Sequence, residues 1–332
     1  MNLALSDEQV MVRDMVRRFL ADRYDATTMA KGPMSPSDWR ALGELGLFAL
    51  LAPEQAGGLG GGAVEVMIIS EEMGRALAIT PLAEGILLCG RAILADPAAA
   101  RWGARLMQGD VLLAFAQGGA LVDGGLCGSA AIVRDGMDAD AFVVETNVGA
   151  LLLVDAQDSG VRRMPVRLVD GSMAANVRFD AAQAVPLAVP ASIWAEAQGL
   201  AGLSIVAELV GAMATLLDLT VDYVRQRHQF GKPIASFQVV QHRCARMYTW
   251  LEQSRSLLLK AAMAEEEARV RAVTAARAYI GDAALKLAED AVQLHGGMGV
   301  TDELAVGRGL RRLLLLSRLH GGPIAARAAL AA

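Results

Sequence analysis

The sequence predicts a mainly α-helical chain with a small antiparallel β domain at its centre. Three observations carry that prediction. Apolar residues recur at helical spacing through residues 1–110, giving an N-terminal helical domain. Between 111 and 190, short valine- and alanine-rich runs alternate with glycine or aspartate turns, the pattern of a compact β domain. From 191 to 332 the helical period returns in long stretches with few breakers, which favours a bundle with coiled-coil-like packing.

In the first region, Ser6 with Gln9 three residues on reads as a capping box, followed by Val10, Val12, Met15, Val16 and Phe19 at helical spacing. A second helix is expected from Ser37 to Leu45, with Gly46 able to end it. The glycine-rich segment 52–62 reads as a loop, since so much glycine does not stay helical. An apolar helix should run from Val64 to Leu77, and Pro81 should open another. In the second region, strands are expected at 111–116, 126–133, 141–145, 150–154, 161–169 and 176–180. In the third, Ala191–Arg227, Phe237–Glu267 and Arg269–Leu294 read as long helices.

Composition narrows the function. At 332 residues the chain can bury a large core, and 54% hydrophobic against 20% charged residues excludes a disordered protein. A net charge of −5 with dispersed arginines gives no footprint for nucleic acid, so any polyanionic ligand must be held by local groups. Cys89, Cys127 and Cys244 form no C-x-x-C pair, so reduced, buried thiols in a cytoplasmic setting are expected, and no metal site. The N-terminal residues carry charges throughout, unlike a signal or transit peptide, and no run of 18 uncharged apolar residues predicts a membrane span.

Two segments carry the chemistry. Residues 225–234 read Arg-Gln-Arg-His-Gln-Phe-Gly-Lys-Pro-Ile and are followed by Ser236-Phe237-Gln238. Gly231 and Pro233 should end one helix, and Ser236 can cap the next. An arginine at such a junction can pair with phosphate, and Phe230 offers an apolar face for a ring, though a capped turn with a solvated arginine would look the same. Gln293-Leu294-His295-Gly296-Gly297-Met298-Gly299 places glycines after a long helix, where the backbone can approach a ligand closely or simply turn.

Together these segments resemble the acyl-CoA dehydrogenase family. Its R-x-x-F-G turn and following glutamine stand here as Arg227, Phe230, Gly231 and Gln238; its Q-x-x-G-G-x-G turn stands as Gln293, Gly296, Gly297 and Gly299. Leu42-Gly43-Glu44-Leu45-Gly46-Leu47, Ala52-Pro53-Glu54 with Gly57-Gly58-Leu59-Gly60, and Glu72-Met73-Gly74-Arg75 also match in order. The resemblance implies an N-terminal helical domain, a central β domain and a four-helix C-terminal bundle. It implies FAD as cofactor, an acyl-CoA substrate, and electron-transfer flavoprotein as acceptor. It also implies that Arg227, Phe230, Gln238, Gln293, Gly296 and Gly297 hold the ADP end of an FAD whose ring lies in a neighbouring subunit.

The chain departs from the family where the reacting groups should be. The glutamate base near the C-terminus is replaced by His320 in Leu319-His320-Gly321-Gly322-Pro323, and its alternative position, on the first helix of the bundle, is Ala201. Gly202 follows where the family usually has an arginine, and Glu196 and Glu208 lie nearby but off register. The hydroxyl-bearing loop after the first strand reads Ala114-Phe115-Ala116-Gln117-Gly118-Gly119, and the W-I-T/S segment that covers the flavin reads Ile132-Val133-Arg134. The L-x-G-G-P ending resembles the short, base-lacking subunits of α2β2 acyl-CoA dehydrogenases of steroid side-chain breakdown. The expectation is a composite site whose partner subunit supplies the base. A self-sufficient enzyme using His320 or Glu208, or a flavin-free assembly protein, are the alternatives.

Overall fold

A computed structural model describes residues 4–24, 32–301 and 304–331. The chain forms two compact units, one of 1–31, 63–78 and 202–332, the other of 32–62 and 79–201.

In the first unit, α1 (Asp7–Arg23) starts on the expected capping box: the Gln9 amide donates to Ser6 Oγ at 3.2 Å and the Ser6 amide to Gln9 Oε1 at 3.0 Å. Helix α4 (Ala63–Arg75) packs against α7 (Ala191–Gln226), inside which the unit boundary falls. The approach is close because it is made at glycine. A Cβ on Gly211 would meet the Glu71 carbonyl oxygen at 2.0 Å, and one on Gly74 would meet that of Glu208 at 2.2 Å. Ser70 and Ser204, both fully buried, satisfy each other across this contact at 2.8 Å. Glu72, buried on α4, accepts two hydrogen bonds from Arg17 of α1.

Helices α8 (Gln238–Ala262), α9 (Glu266–His295), α10 (Ala305–Arg318) and α11 (Gly322–Ala331) complete this unit, with α9 packed against the other three. The expected single helix 237–267 stops at Ala262. Ser236 is not its cap: Ser236 Oγ donates to the Pro233 carbonyl, and Phe237 holds the cap position without a side-chain bond. Helix α7 is long and apolar enough to cross a membrane, with a mean hydropathy of 2.0 over 18 residues, but 94% of that window is buried in the protein.

In the second unit, α2 (Pro36–Glu44) is capped by Ser35, and α3 (Leu47–Leu51) follows a left-handed Gly46. A π-helix over Leu82–Gly90 leads into α5 (Arg91–Ala95), and α6 (Ala100–Met107) follows. The β domain has eight strands: β1 Leu113–Gln117, β2 Ala120–Val122, β3 Gly125–Arg134, β4 Ala141–Glu145, β5 Leu151–Asp155, β6 Val161–Arg167, β7 Met173–Ala182 and β8 Ala184–Pro186. They form two sheets, ordered β1-β4-β5-β8 and β2-β3-β7-β6. All pairings are antiparallel except β1 with β4. Phe142 and Phe179 meet edge to face at 6.2 Å in the core between β4 and β7, burying apolar area as aromatic pairs do.

The three cysteines are free. Cys89 is buried, and desolvation pushes its thiol well up; Cys127 and Cys244 are only half-buried, short of the expectation for all three.

Candidate functional site

The R-x-x-F-G segment folds as a tight hairpin after α7. Strands β9 (His228–Gln229) and β10 (Lys232–Pro233) pair across Phe230 and Gly231, and the Ile234 amide closes onto the Arg227 carbonyl at 2.8 Å. Both loop residues have positive φ, 55° at Phe230 and 80° at Gly231, as a type I′ turn requires. Glycine takes this conformation freely, but an aromatic residue does so at a cost of about 1 kcal/mol or more. The strained residue is also 89% exposed. A side chain held in an unfavourable conformation and presented to solvent points to a ligand rather than to the core. Phe237 stands edge-on to Phe230 at 6.0 Å, and Lys232 Nζ lies 4.4 Å above the Phe237 ring, stiffening the turn.

The second motif lies beside it. The Tyr223 ring, near the end of α7, stacks on His295 at 4.2 Å, and His295 Nδ1 bonds the Ala291 carbonyl at 2.8 Å. Burial lowers the His295 pKa, the Ala291 carbonyl opposing in part, so the imidazole is kept neutral. The helix ends in a glycine turn with two kinds of glycine. A Cβ on Gly299 would meet the Val292 carbonyl at 2.7 Å, so this glycine serves packing. At Gly296 and Gly297 a Cβ would meet nothing within 4 Å, so their backbone borders open space. Arg227, Gln238 and Gln293 are exposed alongside. The residues named from the sequence are all exposed in the first unit: a cation, an aromatic ring, two amides and an open glycine backbone.

The positions of the expected base hold no usable carboxylate. Ala201 is buried on α7. At Gly202 a Cβ would stand 3.0 Å from Val273 Cγ1, a tight contact that a longer side chain would press on. His320 is exposed in a left-handed turn, φ 50° and ψ 39°, with its carbonyl and that of Leu319 held by Arg277 Nη2 at 3.0 and 2.8 Å. Glu208 is corrected as a candidate base: it is 2% exposed, and Arg312 Nη2 donates to its carboxylate at 2.7 Å. A buried carboxylate so paired is committed to its guanidinium partner. Glu196 likewise sits 3.5 Å from Arg91.

The β domain shows where the W-I-T/S positions lie. Strand β3 bulges between Ala130 and Val133, Ile132 adopts φ 53°, and its amide donates to Asn176 Oδ1 at 3.0 Å. Residues two apart share a strand face, yet here Ile132 is 56% exposed and Arg134 only 8%. The bulge breaks the alternation. Arg134 Nη1 stands 3.6 Å from Glu84 Oε1, on the π-helix. Sequence reasoning overlooked Glu84; its signal was a lone charge in the otherwise apolar run Leu82–Gly90. A cavity of about 660 Å³ in the same unit, bordered by Arg91, Met107 and Glu196, contains none of the motif residues.

The acyl-CoA dehydrogenase N-terminal domain matches residues 6–118 and the acyl-CoA dehydrogenase C-terminal domain residues 199–327. The chain belongs to the acyl-CoA dehydrogenase family. These are FAD-dependent oxidoreductases acting on the CH–CH bond of acyl-CoA thioesters. Acyl-CoA dehydrogenase IpdE2 of Mycobacterium tuberculosis is 31% identical over 90% of this chain and 88% of its own length. The ChsE4-ChsE5 complex of the same organism contains a chain of the same fold, with a TM-score of 0.87 and 25% identity over 100% of this chain and 98% of that one. The Tcur3481-Tcur3483 steroid acyl-CoA dehydrogenase, a G363A variant, shares the fold with a TM-score of 0.86, at 24% identity over 98% and 97% of the two chains. Gly296 and Gly297 leave room for a phosphate, and Arg227 carries a charge that can pair with one, chemistry compatible with the family's FAD. The bulged end of β3 does not fit an isoalloxazine, having neither ring plate nor hydroxyl.

Proposed function

We propose that this chain is one subunit of a heteromeric acyl-CoA dehydrogenase, holding the ADP end of an FAD whose ring and glutamate base belong to a partner subunit. The observation that carries the reading is the contrast between two sets of residues. Arg227, Phe230, Gln238, Gln293, Gly296 and Gly297 all face solvent, whereas Ala201, Glu208 and His320 offer no carboxylate that could reach an acyl α-carbon. Bound FAD would supply the hydride acceptor for the acyl β-carbon. This chain's own part is to clamp and orient: Arg227 neutralises phosphate charge, the glycine backbone admits the phosphates closely, and Phe230 covers an apolar ring.

A bulky, steroid-derived acyl group is the substrate class the L-x-G-G-P ending suggests, electron-transfer flavoprotein the acceptor, and an α2β2 assembly in the cytoplasm the setting. The ChsE4-ChsE5 complex gives a precedent for a two-component assembly on this fold. The test is co-expression with a candidate partner, a second acyl-CoA dehydrogenase subunit that carries the glutamate base. The expected result is flavin and dehydrogenation in the mixture and neither in this chain alone. An active homodimer of this chain overturns the reading. A colourless complex that ignores added FAD would instead favour a non-catalytic assembly role.

A further inference from the structure

We infer that the Glu84–Arg134 ion pair fills the place of the flavin ring on this chain's own β domain, so that the chain is closed to a second isoalloxazine. The inference rests on the composite-site reading and adds its physical cause: the ring site is blocked, not merely stripped of contacts.

In the resemblance to the family's W-I-T/S segment, Arg134 takes the place of the hydroxyl residue and Ile132 that of the covering tryptophan. The β3 bulge turns Ile132 outward and leaves its backbone committed to Asn176. Arg134 is drawn inward instead, and the Arg134 and Glu84 side chains are only 9% and 11% exposed. The π-helix that carries Glu84 cannot retreat easily. A Cβ on Gly85, the next residue, would stand 3.1 Å from the Leu113 carbonyl of β1, so helix and strand are already in close contact. π-Helical turns are rare and concentrate at functional places, and this one delivers a carboxylate into an apolar run.

An isoalloxazine entering here would have to displace two buried, oppositely charged side chains 3.6 Å apart. Leaving either charge buried without the other is strongly unfavourable, whereas replacing both by neutral groups is tolerated. Ring binding is therefore expected to respond to the pair and not to either residue alone.

The test measures FAD per polypeptide, from flavin absorbance and protein mass, in the complex co-purified with the partner, with thermal melting to confirm folding. Wild type should hold one FAD per two chains. The double variant Arg134→Thr/Glu84→Gln should take up additional FAD, with affinity raised about a hundredfold or more. Arg134→Lys, which keeps the charge, should stay at the wild-type ratio. A wild-type ratio of one FAD per chain overturns the inference while leaving the location of the base open to the activity test above. Folded double variants that gain no FAD also overturn it, since the pair would then not be what excludes the ring.

Discussion

Removing the carboxylate of Glu208 should destabilise the first unit severely, and removing Arg312 with it should restore most of the loss. The two side chains are each 3% exposed and joined at 2.7 Å between α7 and α10. Glu208→Leu removes the carboxylate held against a buried guanidinium, a cost of about 3–5 kcal/mol. For a cooperative unit of this size that corresponds to a fall in melting temperature of roughly 6–20 °C. Glu208→Leu/Arg312→Met replaces both charges by apolar groups and should melt within a few degrees of wild type. Circular dichroism melts and urea titrations of the single and double variants make the measurement, and salt should change it little because the pair is out of solvent. Glu208→Gln separates structure from catalysis: it should lower stability and leave turnover of the folded complex intact. A Glu208→Leu protein that melts like wild type, or a double variant as unstable as the single, would refute the charge argument. Loss of turnover in a fully stable Glu208→Gln would return Glu208 to the list of bases.

Phe230→Asn should raise stability by a few tenths to about 1 kcal/mol, because asparagine accepts the left-handed turn conformation, while FAD dissociates faster from the complex; flavin release and melting temperature together check it. Gly211→Ala should cost about 1–3 kcal/mol or more by urea denaturation, since its Cβ would meet the Glu71 carbonyl at 2.0 Å and α4 and α7 would have to part. Burial lowers the pKa of His295 below its ordinary 6.5. The unfolded chain therefore takes up the proton more readily. The contribution of His295 to stability is fully present above about pH 6.5 and is lost as pH falls through the folded value, so His295→Gln should flatten the acid side of the stability–pH curve.

Much of this was legible in the sequence, and the rest was hidden for identifiable reasons. The Ser6–Gln9 capping box, strand Ala141–Glu145 and the long α7 follow from local patterns and appear as read. Strands β2 and β8 escaped because three residues are too short to show alternation. The β3 bulge has no residue signature: it is a register shift against β7, set by pairing between distant segments. The π-helix escaped because an apolar run looks the same whichever amide register it adopts. Among the site residues, glycine and aromatic turn chemistry is local and could be named in advance. The roles of Glu84 and Glu208 depend on Arg134 and Arg312, far away in the chain, so only the structure shows that their charges are spoken for.

The central claim is that the base acting on the acyl group sits on another polypeptide. Anaerobic titration with acyl-CoA, following the bleaching of flavin absorbance, tests it most directly. With the partner present the flavin should bleach, and His320→Gln in this chain should leave the rate and amplitude unchanged. This chain alone, supplied with FAD, should show no bleaching. Bleaching by the isolated chain, or its loss from the folded complex on His320→Gln, would contradict the account.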